Sequence, residues 1–360
     1  MTIFSNAMKA ASPFKTNGIR LASYLSKALT VKQFGNPLDS LSLESSTIKC
    51  TEPSQVVVHM LYSPINPADI NTIQGVYAVK PQIPFVCGNE GIGRVVESCK
   101  SDSKLKKGDL VVPRKNALGT WRDYVVASED DWLKVPSDLS PVTLATLMVN
   151  PGTAYRMLTD FVDLKPGSVV IQNGGNSAVG QSVIQLCKHW GVKTVSIVRN
   201  REGIKELKKI LQEMGADHVL TDEELKSTEV FKSKEIPAPS LALNCVGGRN
   251  ALELIKTMGE NSTMVTYGGM SKQPLTVPTA ALIFKDITLK GFWMTRWNWL
   301  HDKDGQREHL VNELCSLAKQ GVLQSPPHTL VHIDSWITAI EGATDSRGLV
   351  GTKYILSFEA

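Results

Sequence analysis

The chain has 360 residues, 42% of them hydrophobic and 21% charged, with a formal net charge of +4; it is an ordinary globular composition, long enough for two cored domains. So small a charge, part of it in the N-terminal tail, gives no ground for a nucleic-acid surface, and no uninterrupted apolar run approaches the roughly 18 residues of a membrane span. The six cysteines, Cys50, Cys87, Cys99, Cys187, Cys245 and Cys315, are scattered through apolar segments without a C-x-x-C pair, so they are expected to be reduced, mostly buried and not zinc ligands.

Chain order begins with a basic tail. Lys9, Lys15, Arg20, Lys27 and Lys32 occur with several serines, and no acid precedes Asp39. This composition fits a mitochondrial transit peptide over residues 1–23, cleaved near Ala22 to Ser26, because no compact apolar core follows the basic start. A first strand pattern covers Ala28 to Phe34. Residues 24–150 then read as β structure, with runs at Gln55 to Leu61, Gly93 to Glu97 and Leu110 to Pro113 between Pro and Gly turns. Strand and helix alternate over 151–290, as in a doubly wound parallel sheet. Ile204, Leu207, Ile210, Leu211 and Met214 share a helix face that Gly215 stops, and Thr221 to Pro239 reads as a polar surface excursion. Residues 291–360 return to β-rich sequence after a helix around Gln306 to Lys319, so a cofactor domain is inserted in a catalytic one.

The organising stretch is Ser168 to Arg201, an apolar run, a glycine-rich turn, a helix and a second apolar run in about 30 residues, the size of a βαβ unit. Such a turn aims backbone N–H groups and a helix N-terminus at a pyrophosphate. Counting back from Gly180, the fingerprint G-x-G-x-x-G finds Gly175 but meets Ser177 at its middle glycine, an imperfect match. The second run ends at Val198 and is followed by Arg199, Asn200 and Arg201, with no carboxylate until Glu202. Two guanidinium groups where a ribose-binding acid would stand favour a 2′-phosphate, hence NADPH.

Gly88 to Glu97, Leu105 to Pro113, Leu164 to Asn173 and Gly215 to Leu220 are similar to blocks of the medium-chain dehydrogenase/reductases. More narrowly, Ser63 to Tyr77, Leu118 to Trp121, Asn150 to Leu158, Leu241 to Gly248, Val265 to Met270, Ile283 to Asp286 and Gly291 to Trp293 resemble the mitochondrial trans-2-enoyl-CoA or acyl-carrier-protein reductases, a resemblance that covers nearly everything after residue 28. It implies an α/β protein with a GroES-like β-rich catalytic domain and a Rossmann domain, and a homodimer in the mitochondrial matrix. Its substrates would be enoyl thioesters carried by coenzyme A or an acidic acyl carrier protein. Zinc members of the superfamily carry a histidine where this chain has Asn89; with too few cysteines besides, no zinc site assembles by motif. Glu90 is then a structural hydrogen-bonding carboxylate.

Without a metal, hydride addition to an alkene needs conjugation and a proton source. Tyr77 falls on the family's catalytic tyrosine and is the candidate donor to the enolate. The resemblance also implies cofactor contacts at Asn150, Asn176, Ser177, Ala178, Val179, Tyr267, Gly268, Gly269, Met270, Phe292, Trp293, Met294 and Lys353, besides Arg199, Asn200 and Arg201. Trp293, Trp297 and Trp299 offer either core packing or an aromatic wall for an acyl tail. Two other functions remain open at this point: a quinone reductase of the same fold, and a catalytically silent nucleotide-binding protein.

Overall fold

A computed structural model describes residues 22–231, 236–345 and 351–359, so the expected transit peptide lies almost wholly outside the described residues. The first strand, Ser23–Val31, starts earlier than its sequence pattern because all nine of its residues pair antiparallel with Leu41–Lys49, from Ser23 opposite Lys49 to Val31 opposite Leu41. Ala22 N and Tyr24 OH both donate to the Glu97 carboxylate, at 3.3 and 3.0 Å.

The β-rich half is built on the strand Gln55–Pro64, whose apolar residues are buried on both faces. In its seven-stranded sheet this strand pairs antiparallel with Ile92–Ser98, Tyr124–Ser128 and the last strand of the chain, Lys353–Ser357. His328–His332 lies at the edge, parallel to that last strand. The C-terminal segment therefore completes a sheet that the first half begins. Between them, six parallel strands run in the order His218–Thr221, Lys193–Val198, Val169–Asn173, Leu241–Asn244, Thr263–Thr266 and Thr288–Gly291. The chain steps outward to one side of Val169–Asn173 and then resumes on the other. This reversal opens a crevice at the strands' C-terminal ends.

Both halves share one core. Leu61, Ile92, Leu110 and Leu133 of the β-rich sheet belong to the same buried cluster as Met157, Val183, Leu186, Leu310 and Leu314. The helices Asn150–Thr159, Ala178–Trp190 and Gln306–Lys319 supply that seam; each fully buried leucine in it contributes about 1.5–3 kcal/mol. Gly215 ends the helix Ile204–Met214 at φ 117°, as its position after Met214 predicts. The polar excursion holds a short helix, Asp222–Ser227, and its residues 232–235 lie outside the described residues.

One expectation is corrected. Cys50 and Cys99 form a disulfide, with Cα atoms 6.1 Å apart. Sequence spacing conceals it because the pairing of Val56 with Ser98 and the bond from Cys99 N to Gln55 O bring the two strand ends together across 49 residues. Cys87, Cys187, Cys245 and Cys315 are free thiols, all but Cys245 buried.

Candidate active site

The glycine-rich turn lies in the crevice. Gly174 adopts φ 63°, and a Cβ there would stand 2.6 Å from Cys245 Sγ. A Cβ at Gly180 would stand 2.6 Å from Gly174 O, so the turn tolerates no side chain at either position. Ser177, which breaks the fingerprint, caps the helix Ala178–Trp190 by accepting from Gly180 N at 3.1 Å. Asn176, Ser177, Ala178 and Val179 thus occupy a helix N-terminus at the end of a parallel strand, with the dipole's positive end toward the crevice. Gly351 N reaches Asn176 O at 3.3 Å, bringing the start of the last strand against this turn.

Arg199 and Asn200 are exposed and Arg201 is half-buried, directly after Lys193–Val198. Here space differs from sequence: Val198 pairs with Thr221, so Arg199 and Asp222 leave adjacent strands side by side. Burial raises the Asp222 carboxyl; Glu223 adds to the rise, while the Asn250 hydrogen bond, Lys226 and Arg199 oppose it. Tyr267, Gly268, Gly269 and Met270 follow Thr263–Thr266. Tyr267 N donates to Asn244 O at 2.9 Å and Met270 N to Cys245 O at 3.0 Å. No atom lies within 4 Å of a Cβ built at Gly269, which leaves the backbone there open to a ligand. Burial, with the neighbouring Cys245, pushes the Tyr267 phenol far above its ordinary value. These backbone turns, the helix N-terminus and the two arginines fit a phosphorylated dinucleotide.

Phe292, Trp293 and Met294 carry the chain out of the edge strand Thr288–Gly291 toward the β-rich half. Phe292 N donates to Thr266 O at 3.0 Å, its ring meets Phe161 edge-on, and Met294 Cε lies 3.5 Å from where a Cβ at Gly152 would be. Trp293 reaches Tyr77 across 216 residues of sequence, its Nε1–H donating to the Tyr77 hydroxyl at 2.7 Å. Beside them a cavity of about 100 Å³ is lined by Tyr77, Val79, Phe85, Asn89, Ala117 and Trp299, among others. The three tryptophans part company: Trp297 is core, beneath the Arg156 guanidinium at 4.7 Å, whereas Trp293 and Trp299 meet edge-on at the cavity.

Asn150 and Lys353 fall in a buried polar hub around Asn66. Lys353 Nζ donates to Asn66 Oδ1 at 2.7 Å and to Ile65 O at 3.3 Å, and Asn150 Nδ2 donates to the same Oδ1 at 3.2 Å. Asn66 Nδ2 in turn donates to Glu90 Oε2 at 2.9 Å, Val149 N to Glu90 Oε1 at 2.7 Å, and Asn66 N to Asp69 Oδ2 at 2.9 Å. Burial pushes Asp69 up to about 6 and Glu90 up to about 7 against the opposing pull of these bonds and of Lys353. Burial also lowers Lys353, which both carboxylates oppose. Asn89 Nδ2 donates to Asp69 Oδ1 at 2.7 Å while its Oδ1 receives Ala117 N at 3.0 Å. A zinc ion does not fit here: a carboxamide stands where a histidine ligand would, both carboxylates are engaged, and among the described residues no three His, Cys, Asp or Glu side chains gather.

Sequence reasoning missed Asn66 and Asp69, although Asn-x-x-Asp before a helix is a capping pattern. It also missed Asp222, Asn244 and Asn250, and it took Asn173 only as the start of the glycine-rich turn. Asn173 and Asn244 each end an apolar run, and a buried carboxamide at a strand's end is a readable signal.

Residues 178–304 match the family described as zinc-binding dehydrogenase, and residues 52–137 the alcohol dehydrogenase GroES-like domain. The mitochondrial enoyl-[acyl-carrier-protein] reductase of Caenorhabditis elegans is 47% identical over 313 residues, 85% of this chain and 90% of that one. A structure of the mitochondrial 2-enoyl thioester reductase Etr1p/Etr2p heterodimer from Candida tropicalis superposes with a TM-score of 0.85 at 33% identity, covering 93% of this chain and 100% of that one. The Etr1p complex with NADP and crotonyl-CoA gives the same score, identity and coverage. The chain therefore belongs to the mitochondrial enoyl-[acyl-carrier-protein] reductase family, a branch of the medium-chain dehydrogenase/reductases.

Proposed function

We propose that the protein uses NADPH to reduce trans-2-enoyl thioesters to saturated acyl thioesters, the reductive closing step of a fatty-acid elongation cycle in mitochondria. The bound cofactor supplies a hydride to the β-carbon; the chain must hold the thioester beside it and protonate the α-carbon. One observation carries the reading. An indole N–H can only donate, so in the Trp293–Tyr77 contact the phenol oxygen accepts and its own proton stays free to point into the cavity. Tyr77 is thereby a fixed, proton-bearing donor on the substrate side, with Phe292, Trp293 and Met294 linking it to the crevice. The names of the relatives and the NADP and crotonyl-CoA ligands of the solved neighbour support the substrate class.

Replacing Tyr77 by Phe removes the proton and keeps the ring. Turnover of an enoyl thioester with NADPH is expected to drop about 100-fold, with cofactor affinity unchanged. Unaltered enoyl reduction by Tyr77→Phe would remove this role. A wild-type protein that oxidises NADPH with a quinone and not with enoyl thioesters would instead favour the quinone-reductase reading, and one inert toward both the silent one.

Lys80 lies between the cavity-wall residues Val79 and Pro81, and exposed Arg296 covers the Trp293 ring at 5.7 Å, a basic rim suited to an acidic acyl carrier protein. A salt-insensitive KM for carrier-linked substrate would argue against that rim. The edge strand Thr288–Gly291 and the neighbouring exposed Leu282, Ile283 and Phe284 suit pairing with a second copy, which sedimentation as a monomer would exclude. The acid-free N-terminal tail and the mitochondrial names of the relatives support the matrix as its location.

A further inference from the structure

A line of side chains follows the C-terminal edge of the parallel sheet, crossing from its outer strand to the crevice. Asp222, at the end of His218–Thr221, accepts a hydrogen bond from Asn250 Nδ2. Asn250 Oδ1 accepts from Asn173 Nδ2 at 2.7 Å, and the same Nδ2 donates to Asn244 Oδ1 at 2.8 Å. Asn244 Nδ2 continues to Thr266 Oγ1 at 3.1 Å. Two backbone groups join from the side: Cys245 N donates to Asn173 Oδ1 at 2.7 Å and Gly247 N to Asn244 Oδ1 at 3.0 Å. Asn173 and Asn244 are fully buried.

Direction along this line is not free. A carboxamide can turn either its oxygen or its NH2 toward a neighbour, and an isolated row of them has two self-consistent arrangements. The backbone N–H groups of Cys245 and Gly247 can only donate, so the oxygens of Asn173 and Asn244 face them; Asn173 then gives its NH2 to the Asn250 oxygen, and Asn250 is left to present its NH2 outward, where the Asp222 carboxylate accepts it. The bond from Cys245 N to Asn173 fixes the Cys245 turn, whose thiol stands 2.6 Å from a Cβ position at Gly174 in the phosphate turn and whose carbonyl receives Met270 N at 3.0 Å. The same line thus ties together three loops at the crevice: the one after Val169–Asn173, the one after Leu241–Asn244 and the one after Thr263–Thr266.

We propose that Asp222 is a positioning residue for the dinucleotide: by accepting the outward NH2 of Asn250 it anchors the outer end of the line, and through Asn250 and Asn173 it holds the Cys245 turn against the phosphate turn. On the cofactor reading the loops it holds serve the pyrophosphate and nicotinamide that NADPH and NADH share, so its effect should be the same for both. The inference rests on the cofactor reading given above.

The test is binding of NADPH and NADH to the purified protein, followed by tryptophan fluorescence, with thermal melting recorded for each variant. Asp222→Ala and Asn250→Ala are each expected to weaken both nucleotides by the same factor, about tenfold, because either one leaves an amide group of the line short of a partner. The double variant should be no worse than the single ones, since one line is broken once. Asp222→Asn retains an acceptor oxygen and should restore binding of both. Unchanged binding in the alanine variants, additive losses, or a loss confined to NADPH would overturn the inference; the last would mean that Asp222 acts on Arg199. If Asp222→Ala does not fold, Asn250→Ala with Asp222→Asn decides in the same way, by loss in the first and retention in the second. Wild-type protein that binds neither nucleotide removes the cofactor reading as well, whereas full binding by every variant removes this inference alone.

Discussion

Around Asn66 the β-rich half buries an ammonium and two carboxylates within one hydrogen-bonded cluster, whereas the edge of the parallel sheet buries neutral carboxamides and keeps the one acid of its line, Asp222, at the half-exposed end. Both join separate loops without a metal. They differ in what holds them. The hub depends on charge balance in a place where an unpaired charge is expensive, and the line of carboxamides depends on direction, which costs little to maintain and is indifferent to pH in its interior.

The largest expected effect comes from unbalancing the hub. Lys353→Met removes the ammonium that faces the buried Asp69 and Glu90 and takes a donor from Ile65 O and from Asn66 Oδ1, which keeps the bond from Asn150. Loss of one partner from a buried charge cluster costs about 3–5 kcal/mol. Urea unfolding should show a deficit of that size, whereas a deficit under about 1 kcal/mol would mean that the ammonium contributes no more than an exposed ion pair does.

Charge balance also makes the hub pH-sensitive in a defined direction. The Glu90 carboxyl is raised by burial from 4.5 to about 7, so the folded chain binds a proton in that window that the unfolded chain has released. Stability from this group is complete below about 4.5 and is lost as pH rises through about 7, on the order of 1–3 kcal/mol. Asp69 contributes in the same sense between 3.8 and about 6. The unfolding free energy of the wild type minus that of Glu90→Gln should fall as pH rises from 5 toward 7.5, whatever constant offset the substitution brings. Parallel curves would show that Glu90 does not titrate in that range.

Much of this is legible in the sequence. The βαβ unit, the helix stop at Gly215, the late helix Gln306–Lys319 and the return to a β-rich sheet all follow from local pattern, because periodicity and punctuation record short-range physics. Tyr77 and Trp293 were named separately, but their hydrogen bond spans 216 residues and no local pattern carries it. The same limit hid the Cys50–Cys99 pair and the placement of Lys353 and Asn150 in the Asn66 hub. In each case the partner is chosen by sheet register or by strand insertion, and register is a property of the assembled sheet.

Register matters most at the arginines. Reading along the chain, Arg199 and Arg201 have no acid before Glu202; reading across the sheet, Val198 opposite Thr221 sets Asp222 beside Arg199. Arg199 and the carboxamide line therefore meet at Asp222, but the arginine pair and the line should fail differently. Arg199→Ala combined with Arg201→Ala removes charge-assisted bonds available only to a 2′-phosphate, so the KM for NADPH is expected to rise about tenfold or more while that for NADH stays within about twofold. Asp222→Ala should instead weaken both nucleotides equally. If the arginine variant also weakened both equally, neither guanidinium would be reading the phosphate, and the preference for NADPH would have to come from some other group at the end of the Lys193–Val198 strand.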